Sequence, residues 1–216
     1  EGWHLFEEAV QAGVTIEKIF ALESHGDQLA AFPQTVWVSE EILRDLADTQ
    51  TPQGIVAVIQ KEEVGPPDFS QGKFLFLEDV QDPGNVGTMI RTADAAGFTG
   101  VIVSDKSADI YSLKTLRSMQ GSHFHLPIYR MPVATFIAEA KKSNLPILAT
   151  TLSRDSKDYR ELSPLENFAL VMGNEGQGIS PIMAESANQL VHIGMKGRAE
   201  SLNVAVAAGI LMFYFS

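Results

Sequence analysis

Short apolar segments alternate with segments of helical periodicity from residue 74 to the end of the chain. We predict strands over the apolar segments, because strands buried on both faces of a parallel sheet are apolar throughout, and amphipathic helices between them. The order predicts an α/β fold with a parallel sheet and helices on both faces. The predicted strands are Phe74–Val80, Val101–Ser104, Ile147–Thr150, Phe168–Met172 and Leu190–Ile193, and the predicted helices include Asn85–Ala96 and Val133–Lys142.

The residues before this region predict a smaller α/β unit. Its predicted elements are helices Leu5–Ala12 and Glu40–Ala47, the second capped by Ser39, and strands Ile19–Leu22, Thr35–Val38 and Ile55–Ile59. The segment Lys61–Lys73, KEEVGPPDFSQGK, combines charges, adjacent prolines and two glycines, a composition typical of a linker. We therefore predict a small domain over residues 1–64 and a larger one over residues 72–216.

The composition is that of an ordinary globular protein, with 45% hydrophobic and 20% charged residues. The absence of cysteine excludes disulfides, thiol catalysis and cysteine-ligated metal sites, and favours a reducing, cytoplasmic location. We see no signal peptide, and the longest apolar run, Val204–Phe215, is shorter than the roughly 20 residues of a membrane span. We expect no membrane partner. Since the chain begins at Glu1 within a predicted helix, we also expect a short N-terminal segment to precede it.

The net charge of −11 and the isoelectric point near 4.8 argue against a nucleic-acid partner. A protein of this charge repels phosphate at long range, so RNA binding would need a local basic patch.

The first motif that indicates chemistry is EDVQDPGNVGTMIR, residues 78–91, which joins a predicted strand to a predicted helix. Such turns hold ligands at the carboxyl ends of parallel strands. Arg91 points away from the apolar helix face formed by Val86, Ile90 and Ala93, so it either faces a cleft or is an ordinary surface arginine. Asp105, about 20 residues beyond the glycines, also suggests a nicotinamide dinucleotide site, but the GxxG spacing departs from GxGxxG and weakens that interpretation.

The second motif is LVMGNEGQGI, residues 170–179, a buried strand followed by a loop with three glycines. Glycines allow a ligand to approach the main chain closely, and Glu175 is placed to hydrogen-bond such a ligand.

The third motif is IGMKGRAESLNV, residues 193–204, which leads into an apolar helix predicted over Ser201–Phe215 with Ser201 as its N-cap. A helix without a polar face is expected to be buried under its own sheet or against a partner subunit.

The pattern His123-Phe124-His125 would place two histidines on one face of a strand, as in some metal sites. Because no third ligand lies nearby, we favour ordinary packing and expect no metal.

Together the three motifs resemble the SpoU (TrmH-type) RNA ribose methyltransferases of the knotted SPOUT superfamily. The resemblance spans the whole chain, and the segment TPQGIVAV, residues 51–58, is similar to the small substrate-binding domain of that family. It implies a deep C-terminal trefoil knot, a bound S-adenosylmethionine, and methylation of a ribose 2′-hydroxyl in rRNA or tRNA without a metal. It also implies a homodimer formed through the catalytic domain, with sites completed across the interface.

The resemblance also assigns residues. It implies that Arg91 helps to deprotonate the hydroxyl, but an arginine is a poor base, so we expect Arg91 to hold the nucleotide phosphate and orient the hydroxyl while another group or water accepts the proton. Two departures are Gly194, where many members have proline, and Asn174, where serine or alanine is common. The expected catalytic residues are Asn85, Arg91, Glu175, Ser201 and Asn203; the cofactor-binding residues are Thr150, Gly173, Ile193 and Leu202; and the weaker RNA-binding candidates are Lys114 and Arg117.

Two other functions stay open at this point: an RNA-binding module that has this fold without catalysis, and a nicotinamide-dependent oxidoreductase. The sequence also leaves open which RNA is the substrate.

Overall fold

The computed structural model describes residues 1–61 and 63–216, which form two compact units, Glu1–Glu63 and Val64–Ser216. The first unit contains helices α1 (Trp3–Gln11) and α2 (Glu40–Leu46) and strands β1 (Ile16–Ala21), β2 (Thr35–Trp37) and β3 (Ile55–Ile59). In its sheet, β1 lies between β2, which is parallel to it, and β3, which is antiparallel. The hydroxyl of Ser39 accepts a hydrogen bond from the Ile42 amide, so the predicted N-cap is confirmed.

The second unit is built on seven parallel strands in the order β6-β5-β4-β9-β7-β10-β8. The predicted α/β fold with a parallel sheet is confirmed. Its strands are β4 (Lys73–Leu77), β5 (Gly100–Val103), β6 (Ile128–Arg130), β7 (Ile147–Thr150), β8 (Lys157–Asp158), β9 (Phe168–Met172) and β10 (Gln189–His192), and its helices are α3 (Pro83–Ala95), α4 (Leu113–Met119), α5 (Val133–Lys142), α6 (Pro181–Ser186) and α7 (Val204–Phe215).

Helices cover both faces of this sheet, as the apolar strands predict. Leu75 and Leu77 of β4 face one core, which contains the buried sides of α3 and α7. Phe74 and Phe76 face the other core, which contains the buried sides of α5 and α6. Alternation along each strand explains the division, because successive side chains point to opposite faces.

Three predicted elements need correction. Strand β4 ends at Leu77 and not at Val80, because Asp79 turns the chain with a left-handed φ of 56°. Helix α7 begins at Val204, and its N-cap is Asn203 and not Ser201. His123 and His125 do not share a strand face, since residues 122–124 form a turn of 3₁₀ helix.

No described helix is long and apolar enough to cross a membrane. The strand order does not by itself demonstrate the trefoil knot, which stays a prediction.

Candidate functional site

A cavity of about 580 Å³ opens at the carboxyl ends of β7, β9 and β10 and at the start of α7. Its size is that of sites for small molecules, and ligands of parallel α/β sheets bind at this edge. The cavity is lined by residues 150–153, 172–178, 191–193, 195, 201–204, 207 and 211. It therefore draws on the second and third sequence motifs together.

The structure brings the four predicted cofactor-binding residues to this one cavity. Thr150 and Gly173 lie at the ends of β7 and β9, Ile193 follows β10, and Leu202 precedes α7. The Thr150 hydroxyl donates to the carbonyl of Val171 over 2.9 Å, which ties neighbouring strands together at the cavity. Cofactor binding by these four residues stays a prediction.

The second motif forms a tight loop on the cavity wall. Asn174 and Gly178 exchange backbone hydrogen bonds of 3.0 and 2.9 Å, and the Asn174 side chain accepts from the amides of Gly176 and Gln177. A Cβ at Gly173 would lie 2.3 Å from the carbonyl carbon of Gly178, so no larger residue fits there. Asn174 also donates to the carbonyl of Asp79 over 2.8 Å, which gives this departure from the family pattern a role in holding the loop.

The glycines of the first motif allow close packing at the start of α3. A Cβ at Gly87 would lie 2.6 Å from the Thr115 carbonyl oxygen, so this glycine lets α4 approach α3. The helix begins at Pro83, and the Asp82 side chain caps it by accepting from the Asn85 amide over 2.9 Å.

A chain of hydrogen bonds joins the three motifs. Glu175 accepts from the backbone amides of Gln81 and Asp82 at 3.2 and 3.1 Å, and its Oε1 accepts from Nδ2 of Asn85 at 3.1 Å. Oδ1 of Asn85 in turn accepts from Nδ2 of Asn203 at 3.0 Å. Oδ1 of Asn203 accepts from the first amides of α7. Three predicted catalytic residues are therefore in one network.

The network sets the charge state of Glu175. Partial burial raises the pKa of this carboxyl, but the hydrogen bonds from Asn85 and from backbone amides lower it more, so its pKa lies below the usual value. Glu175 is consequently a carboxylate at neutral pH and acts as an acceptor.

Asn85 and Arg91 do not line the cavity, whereas Glu175, Ser201 and Asn203 do. Arg91 is exposed on α3 and makes no hydrogen bond or ion pair with any residue that the structure describes. Within one chain, the guanidinium of the predicted catalytic arginine is therefore available to bind a ligand, but Arg91 is not part of the cavity wall.

The two predicted RNA-binding residues also lie outside the cavity. The Lys114 ammonium is 3.0 Å from the Asp82 carboxylate and lowers the pKa of that group, while Arg117 is half-buried on α4. Lys114 therefore supports the cap of α3.

The other departure from the family pattern, Gly194, lies against an ion pair. Arg160 binds the Asp158 carboxylate through Nε and Nη2, both at 2.7 Å, which lowers the pKa of Asp158. A Cβ at Gly194 would lie 2.6 Å from Oδ2 of Asp158, so the ion pair occupies the space that a proline ring needs.

Sequence reasoning missed His192, which lines the cavity and contacts the Ser156 hydroxyl at 3.0 Å through Nδ1. Its position at the end of a predicted strand was the available signal. No group of three or more metal-ligating side chains occurs in the described part of the chain.

This fold and cavity define an α/β protein with a site for a small molecule at the carboxyl ends of parallel strands. The family described as SpoU rRNA Methylase matches residues 72–213, and the MRM3-like substrate binding domain matches residues 1–57. The chain belongs to the SpoU rRNA methylase family. The resemblance drawn from the three motifs is confirmed, and with it the class of S-adenosylmethionine-dependent RNA 2′-O-methyltransferases.

Individual relatives and solved structures support this family assignment. The chain is 39% identical to the 23S rRNA (guanosine(2553)-2′-O)-methyltransferase RlmP of Bacillus subtilis, over 99% of this chain and 86% of that protein. It superposes with a TM-score of 0.87 and 33% identity on the AdoMet-bound rRNA methyltransferase of Sinorhizobium meliloti, covering 99% of this chain and 84% of that one. The SpoU methyltransferase AviRb of Streptomyces viridochromogenes, in complex with AdoMet, gives a TM-score of 0.83 at 28% identity over 98% of this chain and 86% of that one.

Proposed function

We propose that this chain methylates the ribose 2′-hydroxyl of a guanosine in 23S rRNA, the reaction in the name of its Bacillus subtilis relative. The observation that carries the proposal is the cavity, which gathers the four predicted cofactor-binding residues with Glu175, Ser201 and Asn203. The 39% identity over nearly the whole chain supports the choice of 23S rRNA over tRNA.

S-adenosylmethionine, when bound, supplies a methyl group on a positively charged sulfur. The ribose 2′-oxygen forms a bond to the methyl carbon while the carbon–sulfur bond breaks, and the hydroxyl proton is released to another group or to water. The protein's task is alignment, because a nucleophile that is already held in line with the leaving sulfur loses little further entropy on reaching the transition state. The strand ends and the Gly173 loop supply the rigid floor for that alignment.

We assign Arg91 the role of holding the phosphate of the target nucleotide. Its guanidinium has five donors in a planar fork that matches phosphate, and it has no acceptor atom, so it cannot take up the hydroxyl proton. Arg91 is exposed and has no partner among the described residues, which leaves these donors for a ligand.

We also propose a homodimer in which Arg91 serves the cavity of the other subunit. Helix α7 has a row of solvent-accessible apolar side chains at helical spacing, with Val206 53% and Phe213 58% exposed. This helix packs on α3, which contains Arg91, so a dimer covering the row brings the Arg91 helix to the interface.

The first unit is proposed to help select the RNA, as its match to the MRM3-like substrate binding domain suggests.

The test is to incubate the protein with methyl-labelled S-adenosylmethionine and unmodified 23S rRNA, then digest to nucleosides. We expect label in 2′-O-methylguanosine, and loss of that label in Arg91→Ala. RNA and cofactor binding without any methyl transfer would instead identify a non-catalytic RNA-binding module, and label in tRNA alone would refute the choice of substrate.

A further inference from the structure

The charge of this protein is unevenly distributed between its two units. Residues 1–63 contain 3 Lys and Arg against 12 Asp and Glu, a net charge of −9, whereas residues 64–216 contain 13 against 15, a net charge of −2. RNA affinity depends mainly on cations that neutralise phosphates. Phosphate contacts are therefore expected in the second unit, near the cavity.

The cations predicted from the family are poorly suited to this role. Lys114 is engaged with Asp82, and Arg117 is half-buried. A cation that already neutralises a carboxylate must exchange that partner for a phosphate, which reduces the gain on binding RNA.

Two loops at the cavity offer cations with no such engagement. Arg154 directly follows the cavity residue Ser153, and Lys196 directly follows the cavity residue Met195. Consecutive Cα atoms are about 3.8 Å apart, so the main chain of both residues lies next to the cavity lining. Arg198 lies in the same segment as Lys196, between Met195 and the cavity residue Ser201.

All three cations are exposed, and none makes a hydrogen bond or ion pair with any residue in the described ranges. Their charge is fully available to a ligand. The same two loops also contain the exposed Asp155 and Glu200, so the three cations are individual phosphate contacts beside the cavity and not a patch of net positive charge.

An apolar side chain accompanies them. Leu152 lines the cavity and is 67% exposed, the highest value among the large apolar side chains described. An exposed leucine at the edge of the cavity offers a nucleobase an apolar contact.

The loop that bears Leu152 and Arg154 is held in place. Ser156 donates its hydroxyl to the Ser153 carbonyl over 2.5 Å, so it accepts from Nδ1 of His192 at 3.0 Å. This tether joins the end of the loop to β10 and reduces the ordering that RNA binding must supply.

We propose that Arg154, Lys196 and Arg198 bind the phosphates around the target nucleotide and that Leu152 contacts its base. The proposal rests on the proposed function and specifies where the RNA is held. It moves the RNA contacts from α4 to the two loops at the cavity.

The test compares Arg154→Gln and the double variant Lys196→Gln/Arg198→Gln with the matched double variant Lys141→Gln/Lys142→Gln. The control removes the same charge from α5, which contributes no residue to the cavity. Binding of a 23S rRNA fragment is measured against salt, together with KM, kcat and the Kd for S-adenosylhomocysteine.

We expect the cavity-loop double variant to weaken RNA binding and raise KM at least about tenfold, and to reduce the salt slope by about 0.7–0.9 for each lost phosphate contact. The Kd for S-adenosylhomocysteine and kcat should be unchanged. Leu152→Ser should raise KM without changing the salt slope, whereas Leu165→Ser, on an exposed segment away from the cavity, should not.

Equal losses of RNA affinity in the cavity-loop and α5 variants would overturn the proposal. They would show that RNA responds to the total charge of the protein and not to cations at the cavity. A parallel loss of S-adenosylhomocysteine binding would also overturn it by assigning the loops to the cofactor. If the wild-type protein binds RNA but methylates none, the proposed function fails, and the binding data still decide whether these loops hold RNA.

Discussion

The side chain of Asn203 donates from Nδ2 to Oδ1 of Asn85 over 3.0 Å, joining residues 118 positions apart in the chain. The direction of this bond is determined at both ends. Oδ1 of Asn203 is used by the first amides of α7, and Nδ2 of Asn85 is used by the Glu175 carboxylate. Each amide can therefore adopt only one orientation, and the loss of one member leaves a donor or acceptor of its neighbour without that hydrogen bond.

Asn85→Ala should lower kcat by about 10- to 100-fold. It removes a hydrogen bond to a charged group, worth about 1.5–3 kcal/mol, and separates α3 from the start of α7. Since Asn85 does not line the cavity, the Kd for S-adenosylhomocysteine should change little.

Asn85→Asp gives the sharper comparison, because it places a carboxylate beside Glu175 and should be more damaging at pH 8 than at pH 5, where one of the pair takes up a proton. An unchanged kcat in both variants at pH 8 would show that the hydrogen bonds among Glu175, Asn85 and Asn203 have no role in the reaction.

Asn203 and Ser201 can be distinguished by stability. Asn203→Ala removes the N-cap of α7 and should cost about 0.5–2 kcal/mol, which lowers Tm by a few degrees for a domain of this size. Ser201→Ala should leave Tm unchanged, because its side chain makes no capping hydrogen bond to any residue that the structure describes.

Asn203→Asp separates the two roles of Asn203. The carboxylate keeps the cap and favours the helix N-terminus, but it cannot donate to Asn85. We expect Tm to be kept and kcat to fall. Thermal unfolding followed by circular dichroism, with a matched activity assay, measures both, and a larger Tm loss in Ser201→Ala than in Asn203→Ala would contradict the assignment.

Gly173→Ala should abolish cofactor binding. The added Cβ would lie 2.3 Å from the carbonyl carbon of Gly178, so the loop that forms one cavity wall must move. Gly197→Ala is the control, because a Cβ there meets nothing within 4 Å. Isothermal titration with S-adenosylhomocysteine should detect no binding to the first variant and near wild-type binding to the second; equal affinities would show that the loop tolerates the change.

Features that depend on neighbouring residues could be predicted from the sequence, whereas features that depend on distant parts of the chain could not. The bounds of β7, β9 and α5 agree with the pattern of apolar residues. A strand buried on both faces is apolar throughout, and a helix buried on one face has apolar residues at helical spacing, so consecutive residues show both patterns. The N-cap of α7 was misplaced by two positions, since Ser201 and Asn203 are both good caps and only the folded chain decides which accepts from the helix.

The residues of the candidate site could be predicted from the sequence, but their arrangement in space could not. The family resemblance supplied Asn85, Glu175 and Asn203, but their mutual hydrogen bonds depend on how three loops meet at one sheet edge. Neither the separation of Arg91 from the cavity nor the engagement of Lys114 with Asp82 has a local sequence signal.

The histidine pair also yields a prediction about pH. Burial, with the neighbouring His125, lowers the pKa of His123 to about 4. The unfolded chain takes up this proton near pH 6.5, so between these values it binds more protons than the folded chain, and stability falls as pH decreases from about 6.5 to 4. His123→Leu should therefore lose less stability than wild type between pH 7 and pH 5 in urea titrations. The exposed His4→Gln is the control, and equal losses in His123→Leu and wild type would contradict the assignment.

If Arg91 serves the cavity of the partner subunit, two inactive variants should restore activity when mixed. Arg91→Ala retains a cavity but lacks the arginine, and Gly173→Ala retains the arginine but lacks a cavity. In a heterodimer the cavity of the first receives Arg91 from the second, so one of the two sites is complete.

The measurement is methyl transfer after the two variants are mixed under conditions that allow subunit exchange. We expect activity well above the sum of the separate variants, up to about a quarter of wild type, since random exchange makes half the dimers mixed and each has one working site. Adding Phe213→Glu to both should abolish recovery by disrupting the apolar row on α7, and light scattering should then show monomers. No recovery in verified heterodimers would place Arg91 in its own subunit's site.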